Sequence, residues 1–216
     1  MRPIAEYGTV VWDFNGTLLD DLGIGIRAVN ALLLRRGMKP IASAEEYHSL
    51  FCFPIEQYYR RLGFDFSREP YEVLAVEWVR EYRAIERTAP LREGALSLLS
   101  RLGSAGVRQI VLSATEQTML GEQLRTLGIF GFFDLVLGRS DIYAESKLAL
   151  AESLRGSLTG RALVIGDTEH DLDAARVLGA DAVLLRGGHA SDAALLALGC
   201  ELADDLPTLE GRLFSC

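Results

Sequence analysis

The sequence predicts an α/β protein: a doubly wound parallel-sheet core, with an α-helical module inserted after the first strand. Three observations carry this. Thr9 to Trp12 is a β-branched and aromatic run that reads as a short buried strand, ending at Asp13 and broken by Gly16. From Asp20 to Ala89 the apolar spacing is helical. From Leu91 onward strand and helix patterns alternate, as a parallel sheet covered on both faces requires. The chain has 216 residues, 49% of them hydrophobic, which suits one core plus a smaller insertion.

The elements follow in order. Leu22 to Arg36 has helical apolar spacing, stopped by Gly37 and Pro40. Ser43-Ala44-Glu45-Glu46 fits a capping box that opens a short helix. Pro54 suits the first turn of the next helix, which ends near Gly63. Tyr71 to Arg87 is a long amphipathic run closed by Pro90. Helices are then expected at 94–102, 117–127, 145–154, 172–178 and 191–198. Strands are expected at 107–112, 135–137, 162–165 and 182–185, with one more short strand and helix in the tail. Residues 1–19 and 90–216 would form the core, and residues 20–89 the inserted helical domain.

Net charge is −8 and no block of like charges stands out, which argues against nucleic-acid binding and against an anionic-membrane anchor. No apolar run approaches the length of a membrane span. Cys52, Cys200 and Cys216 are too few and too scattered for a disulfide framework. The first residues lack the apolar core of a signal peptide, so a cytoplasmic location is the default.

Four positions fall at predicted strand ends or helix starts and would gather on the carboxyl edge of one sheet, where open α/β sheets bind ligands. Asp13 can be a nucleophile or a metal ligand, and the Gly16 turn can aim backbone N–H groups at an anion. Ser113, in Val111-Leu112-Ser113-Ala114-Thr115, can hold a phosphate oxygen or simply cap a helix. Lys147 opposes a helix macrodipole, so it needs an anionic neighbour or else lies on the surface; Lys39 is the other lysine of the chain. Asp167 and Asp171, in Gly166-Asp167-Thr168-Glu169-His170-Asp171, suit a hard cation or form an acidic helix start. His170 reads as a helix-surface residue.

Together and in this order, these residues resemble the haloacid dehalogenase superfamily. That family carries an Asp-x-Asp-Gly-Thr strand end, then a Ser or Thr, a Lys, and Gly-Asp-x-x-x-Asp. The helical cap, Leu19-Asp20-Asp21 and the segment from Phe51 to Gly63 resemble its phosphoglycolate phosphatase and β-phosphoglucomutase branch. The resemblance implies a phosphohydrolase in which Asp13 attacks phosphorus. It implies Mg²⁺ held by Asp13, the main-chain carbonyl of Asn15, Asp167 and, through water or by orientation, Asp171. It implies phosphoryl contacts from Gly16, Thr17, Ser113, Ala114 and Lys147. The expected partner is a small phosphorylated metabolite, phosphoglycolate by default, with no nucleic acid and no membrane. A monomer or weak homodimer is expected.

One residue departs from the pattern. The family's second Asp, its general acid and base, is Asn15 here, and an amide does neither job. Such help is typically worth about 10²–10⁴-fold. Substrates with good leaving groups would tolerate the loss. Alternatively Asp20, Glu145 or Glu169 replaces the acid, or the chain binds phosphate without useful turnover. Phosphonate cleavage is a minor alternative, with Lys39 as the one cap lysine. In the cap, Phe51-Cys52-Phe53-Pro54 matches the specificity loop, and Arg60 is a candidate for a carboxylate or second phosphate. Gly23-Ile24-Gly25-Ile26-Arg27-Ala28 mimics a dinucleotide motif but lacks the strand-to-helix turn that motif needs. Gly187-Gly188-His189-Ala190 reads as a plain loop.

Overall fold

A computed structural model describes residues 1–142 and 146–215. Its centre is a six-stranded sheet in which every neighbouring pair is parallel. The strands are β1 (Tyr7–Trp12), β2 (Arg108–Glu116), β3 (Leu135–Arg139), β4 (Arg161–Gly166), β5 (Asp181–Leu185) and β6 (Glu201–Ala203), in spatial order β3-β2-β1-β4-β5-β6. The order reverses beside β1, so the crevice at its carboxyl end lies at the topological switch point.

Both faces are covered, and period-two alternation assigns each strand residue to one of them. Val10 and Trp12 pack on one face with Leu98, Leu99 and Leu102 of α5 (Ala95–Ser104). Leu120 and Leu124 of α6 (Gln117–Thr126) and Leu206, Leu209 and Leu213 of α10 (Leu206–Leu213) complete that layer. Val11, Ile110, Leu112 and Val164 face α7 (Leu148–Leu154) and α8 (Glu169–Leu178) on the other side. Leu184 and Leu172 form a smaller cluster with Leu195 of α9 (Asp192–Ala197). The one polar atom of Trp12 is satisfied inside the core, where its Nε1 donates to Gln109 Oε1 at 3.1 Å.

Between β1 and β2 the chain makes α1 (Leu22–Arg35), α2 (Ala44–Leu50), α3 (Ile55–Arg61) and α4 (Tyr71–Ile85). These helices have their own apolar cluster, including Val29, Leu32, Leu33, Tyr58, Tyr59 and Leu74. They meet the main core through Ile24, Ala28 and Tyr82. The chain leaves and re-enters the sheet layer at adjacent points, with Asp20 N donating to Pro90 O and Arg92 N donating to Leu18 O, each at 2.9 Å.

Two boundaries and one cap differ from expectation for local reasons. β2 runs on to Glu116, because its ladder with β3 resumes at Glu116 and Arg139 after an irregularity beyond Leu112. α8 starts at Glu169 rather than Leu172, because Asp171 Oδ2 accepts from Thr168 N at 2.9 Å and caps the first turn. Ser43 caps α2, accepting from Glu46 N at 3.2 Å, but the Glu46 carboxylate reaches Ala42 N rather than completing the box. The expected helix start at Glu145 lies outside the described residues. The Gly23–Ala28 segment is the first turns of α1 and no phosphate loop. Among the described residues no helix is long and apolar enough to cross a membrane.

Candidate active site

β1 delivers Asp13 to the sheet edge, where its N–H donates to Ile165 O at 2.8 Å. The next residues wrap tightly: Phe14 O accepts from the N–H groups of Thr17, Leu18 and Leu19. Gly16 is required here twice over. Its φ is +74°, and a Cβ on it would lie 2.3 Å from Asp167 Oδ2.

Asp13, Asp167 and Asp171 are all buried, and one carboxylate oxygen from each lies within 4.8 Å of the others. Lys147, at the N-cap of α7, is buried among them. Its Nζ donates to Asp13 Oδ1 and to Leu112 O at 3.1 Å, and it pairs with Asp171 Oδ1 at 2.5 Å. The need for an anionic neighbour at that helix start is therefore met by two carboxylates. Asp171 Oδ2 accepts from Asp167 N, Thr168 N and Thr168 Oγ1, at 3.0, 2.9 and 2.9 Å. Thr17 Oγ1 donates to Asp167 Oδ1 at 3.2 Å, so its hydroxyl orients a carboxylate.

The electrostatics divide the acids. Burial pushes Asp13 up to about 8; Lys147 opposes the shift, and Asp171 and Asp167 add to it. Burial likewise raises Asp167 to about 6 against the pull of His189. Burial acts on Asp171 too, but Lys147 and the Thr168 hydrogen bonds win, and its carboxyl is held below its usual value. Burial disfavours the Lys147 ammonium, yet Asp13 and Asp171 raise it and keep it charged. The donor set is three clustered carboxylates on a rigid sheet edge, with the main chain of the Asn15 turn beside them. Hard oxygen ligands of this kind fit a small divalent cation.

Ser113 sits inside β2 and is no helix cap. Its Oγ donates to Thr115 Oγ1 and accepts from Thr115 N, both at 3.1 Å. The cap of α6 is Glu116, whose carboxylate accepts from Thr118 N and Met119 N. Ala114 lines a cavity above the site, together with Phe51 and Phe53. Cys52 and Arg60 do not line it: Arg60 pairs with Glu56 at 2.6 Å and lies over the Phe66 ring. Lys39 is exposed and pairs with Glu46, away from the site. His170 is half-buried and stacks on Phe53 with ring centroids 3.6 Å apart, which makes it more than a surface residue.

Asn15 is fully engaged. Its Nδ2 donates to Asp21 Oδ2 at 2.7 Å and to Tyr82 Oη at 3.1 Å, and its Oδ1 accepts from Thr115 Oγ1 at 2.7 Å. Asp21 is buried and also accepts from Gly16 N at 2.8 Å and Tyr82 Oη at 2.7 Å. Of the three acids named as replacements for Asn15, Asp20 is exposed, Glu169 is half-buried in α8, and Glu145 lies outside the described residues. The carboxylate beside Asn15 is Asp21, one residue along.

The segment Gly187 to Ala190, expected to be a plain loop, is part of the site. His189 N donates to Asp167 Oδ2 at 2.6 Å. Its Nε2 lies 3.2 Å from Asp21 Oδ1 and its Nδ1 2.9 Å from Tyr47 Oη. Burial works against the imidazolium, but Asp21 wins and His189 is raised to about 9. The same pairing outweighs burial at Asp21 and lowers it. Gly188 is also needed, because a Cβ there would lie 2.3 Å from Asp167 Oδ2. Asp21 was visible only as part of Leu19-Asp20-Asp21. His189 followed the last clear strand, and its position after the end of β5 was the one available signal.

An acid and lysine cluster thus lies at the switch point of a parallel sheet, under the helices inserted between β1 and β2. The chain belongs to the haloacid dehalogenase-like hydrolase family, whose family model matches residues 10–185. It is 29% identical to a phosphoglycolate phosphatase of Neisseria gonorrhoeae over 190 residues, covering 82% of this chain and 78% of that one. It is 28% identical to the probable phosphatase IndB of Dickeya dadantii over 205 residues, covering 89% and 85%. A haloacid dehalogenase-like structure from Streptococcus pneumoniae has the same fold, with a TM-score of 0.78 at 20% identity, over 96% of this chain and 98% of that one.

Proposed function

We propose that this protein is a Mg²⁺-dependent phosphohydrolase acting on a small phosphate monoester through an aspartyl phosphate at Asp13. Residues 1–19 and 90–216 are the core, and residues 20–89 are a cap that closes over it. The observation that carries the reading is the placement of Asp13: buried at the end of β1, with Lys147 on Oδ1 and two further carboxylates beside it. The phosphatase relatives supply the substrate class.

In this reading an Asp13 oxygen forms a bond to phosphorus, and the P–O bond to the leaving group breaks with its electron pair going to that oxygen. Lys147, the Ala114 N–H and the Ser113 hydroxyl hold the transferring oxygens, and the Gly16 turn keeps Asp13 aimed. Water then attacks phosphorus and releases phosphate, regenerating Asp13. Asp13, Asp167 and the Asn15 carbonyl would hold Mg²⁺, with Asp171 acting through water or by orientation, and the ion would supply positive charge against the phosphoryl oxygens and keep Asp13 ionised. Asn15 contributes position and no proton, since its amide is committed to Asp21, Tyr82 and Thr115. The adjacent crossings at Asp20 and Pro90 give the cap a narrow hinge, and closure would exclude water.

The test is phosphate release from acetyl phosphate, phenyl phosphate and phosphoglycolate with Mg²⁺, using Asp13→Asn as the blank. Release that vanishes in Asp13→Asn is expected. No release by the wild type from any of the three would turn the reading to phosphate binding without turnover, which Asn15 motivates.

A further inference from the structure

We propose that the cavity above Asn15 holds a single uncharged aromatic ring, so that the leaving group is a monocyclic phenol and the substrate class is aryl phosphate monoesters. This rests on the phosphohydrolase reading and specifies its substrate. The cavity has a volume of about 190 Å³ and runs from Asn15, Ala114 and Thr115 at the sheet edge up between α1 and α4. It adjoins the phosphoryl site, because Asn15 and Ala114 belong to both.

Its walls are aromatic, with Tyr47, Phe51, Phe53, Tyr58, Trp78 and Tyr82 among them. Edge-to-face and offset contacts with a flat ring are what such walls offer. An apolar cavity of about 150 Å³ is enough to take benzene, so this one suits one ring. The Tyr58 hydroxyl is buried and has no hydrogen-bond partner among the described residues. It can meet a polar substituent on that ring.

The cavity is a poor host for a carboxylate. Among the described lining residues there is no lysine or arginine, whereas Asp21 and Glu116 are both present. His189 is the one lining cation, and both of its ring nitrogens are already taken by Asp21 and Tyr47. A glycolate carboxylate would lose its water and gain no free cation among the described lining residues. Arg60, the sequence's candidate for such a partner, faces elsewhere.

The engaged amide of Asn15 points the same way by independent chemistry. Asn15 offers the leaving oxygen no proton, so a leaving group that departs readily as an anion suits this site. A phenol ionises near 10, as tyrosine does, whereas an alkyl alcohol resembles water at about 15.7. The P–O(aryl) bond breaks with its electrons on the phenolate oxygen, which takes a proton from solvent on release. Asp13 takes the phosphoryl group.

The experiment compares phenyl phosphate, phosphoglycolate and acetyl phosphate, with acetyl phosphate reading the phosphoryl centre alone. Phenyl phosphate is expected to exceed phosphoglycolate in kcat/KM by about 10-fold or more. Ala75→Leu, which fills the cavity wall, is expected to lower the ratio of phenyl to acetyl phosphate turnover by about 10-fold. Phenol is expected to bind the wild type saturably, by calorimetry and by Trp78 fluorescence. Asp13-dependent turnover of acetyl phosphate with phosphoglycolate equal to or better than phenyl phosphate would overturn the proposal and leave the phosphohydrolase intact. So would an unchanged ratio in Ala75→Leu. If that variant does not fold, absence of saturable phenol binding to the wild type overturns it. No turnover of any of the three compounds overturns the substrate assignment together with the phosphohydrolase reading, and turnover of acetyl phosphate alone overturns the substrate assignment only.

Discussion

Restoring the family's acid by Asn15→Asp should damage the protein in a pH-dependent way. In the native site the Asn15 amide donates to Asp21 Oδ2 at 2.7 Å, and Asp21 is buried. A carboxylate in its place would face another at that distance with no proton between them. At an effective dielectric of about 20 the repulsion is about 6 kcal/mol, so the new carboxyl keeps its proton instead. Its folded pKa then rises above the unfolded value near 3.9. A raised pKa of this kind favours folding below the unfolded pKa and costs stability as pH climbs towards the folded one. Holding the proton costs about 1.4 kcal/mol per pH unit, hence about 1.5 kcal/mol at pH 5 and about 4 kcal/mol at pH 7. For a chain of this size each kcal/mol moves Tm by about 2–4 °C. Calorimetric melts in EDTA should therefore show a deficit of about 3–6 °C at pH 5 that roughly doubles or more by pH 7. The exchanged pair, Asn15→Asp with Asp21→Asn, puts amide against carboxylate again and should recover the pH-dependent part. A deficit that does not change with pH, or an exchanged pair no better than the single variant, would refute the reasoning.

Two further outcomes follow from the same neighbourhood. Gly188→Ala places a Cβ 2.3 Å from Asp167 Oδ2, so Asp167 must move; the Mg²⁺-induced rise in Tm, worth about 2.7 kcal/mol at 100 times Kd, should be lost while the fold survives, and a full Mg²⁺ shift in that variant would contradict the cation site. His189 is raised from 6.5 to about 9, so its contribution is complete below about pH 6.5 and lost as pH passes through 9. That amounts to about 3 kcal/mol. Urea midpoints in EDTA from pH 6 to 10 should fall in the wild type and stay flatter in His189→Asn; parallel curves would show that His189 is not the titrating group.

The sheet and the first ring of site residues were legible because each has a local cause. Alternation of apolar residues marks the strands, and acids or lysine at strand ends are conspicuous where glycine turns follow. Asp13, Lys147, Asp167 and Asp171 come together as their spacing along the chain suggested. What the sequence hid are relations across distance. Asp21 lies six residues from Asn15 and 168 from His189, and no local pattern links the three. His189 is tied into the site through its main-chain N–H, a contact any residue type can make. Ser113 looked like a cap because the residues after it suit a helix start; the resumed ladder with β3 is a tertiary contact and kept the strand running. Arg60 was read as a ligand candidate, yet Glu56, four residues earlier on the same helix, is the partner that helical spacing offers it.

The charge count at this edge explains why the acids divide as they do. Asp13, Asp21, Asp167 and Asp171 are buried together, and the cations that touch them are Lys147 and His189. Four negative charges against two positive leave an excess of two in a low-dielectric crevice, which no side chain in contact neutralises among the described residues. Burial, with the like-charged neighbours adding to it, raises Asp13 and Asp167. Asp21 escapes because it has His189, and Asp171 because it has Lys147 and the N-terminal turn of α8. The two acids left with the deficit share one cluster with Asp171, an oxygen of each lying within 4.8 Å of the others. One divalent cation there would cancel the excess and return both to the ionised state, which is the state the proposed nucleophile Asp13 would need. Under the proposed mechanism, phosphoryl transfer and cation binding would be coupled through Asp13 itself: metal-free protein should hold a proton where the cation would sit, and adding Mg²⁺ near pH 7 should release protons into weakly buffered solution. Proton release measured with a pH indicator, present in the wild type and absent in Asp167→Asn, would establish that coupling; Mg²⁺ binding with no proton released would mean that Asp13 and Asp167 are already ionised and that the charge argument is wrong.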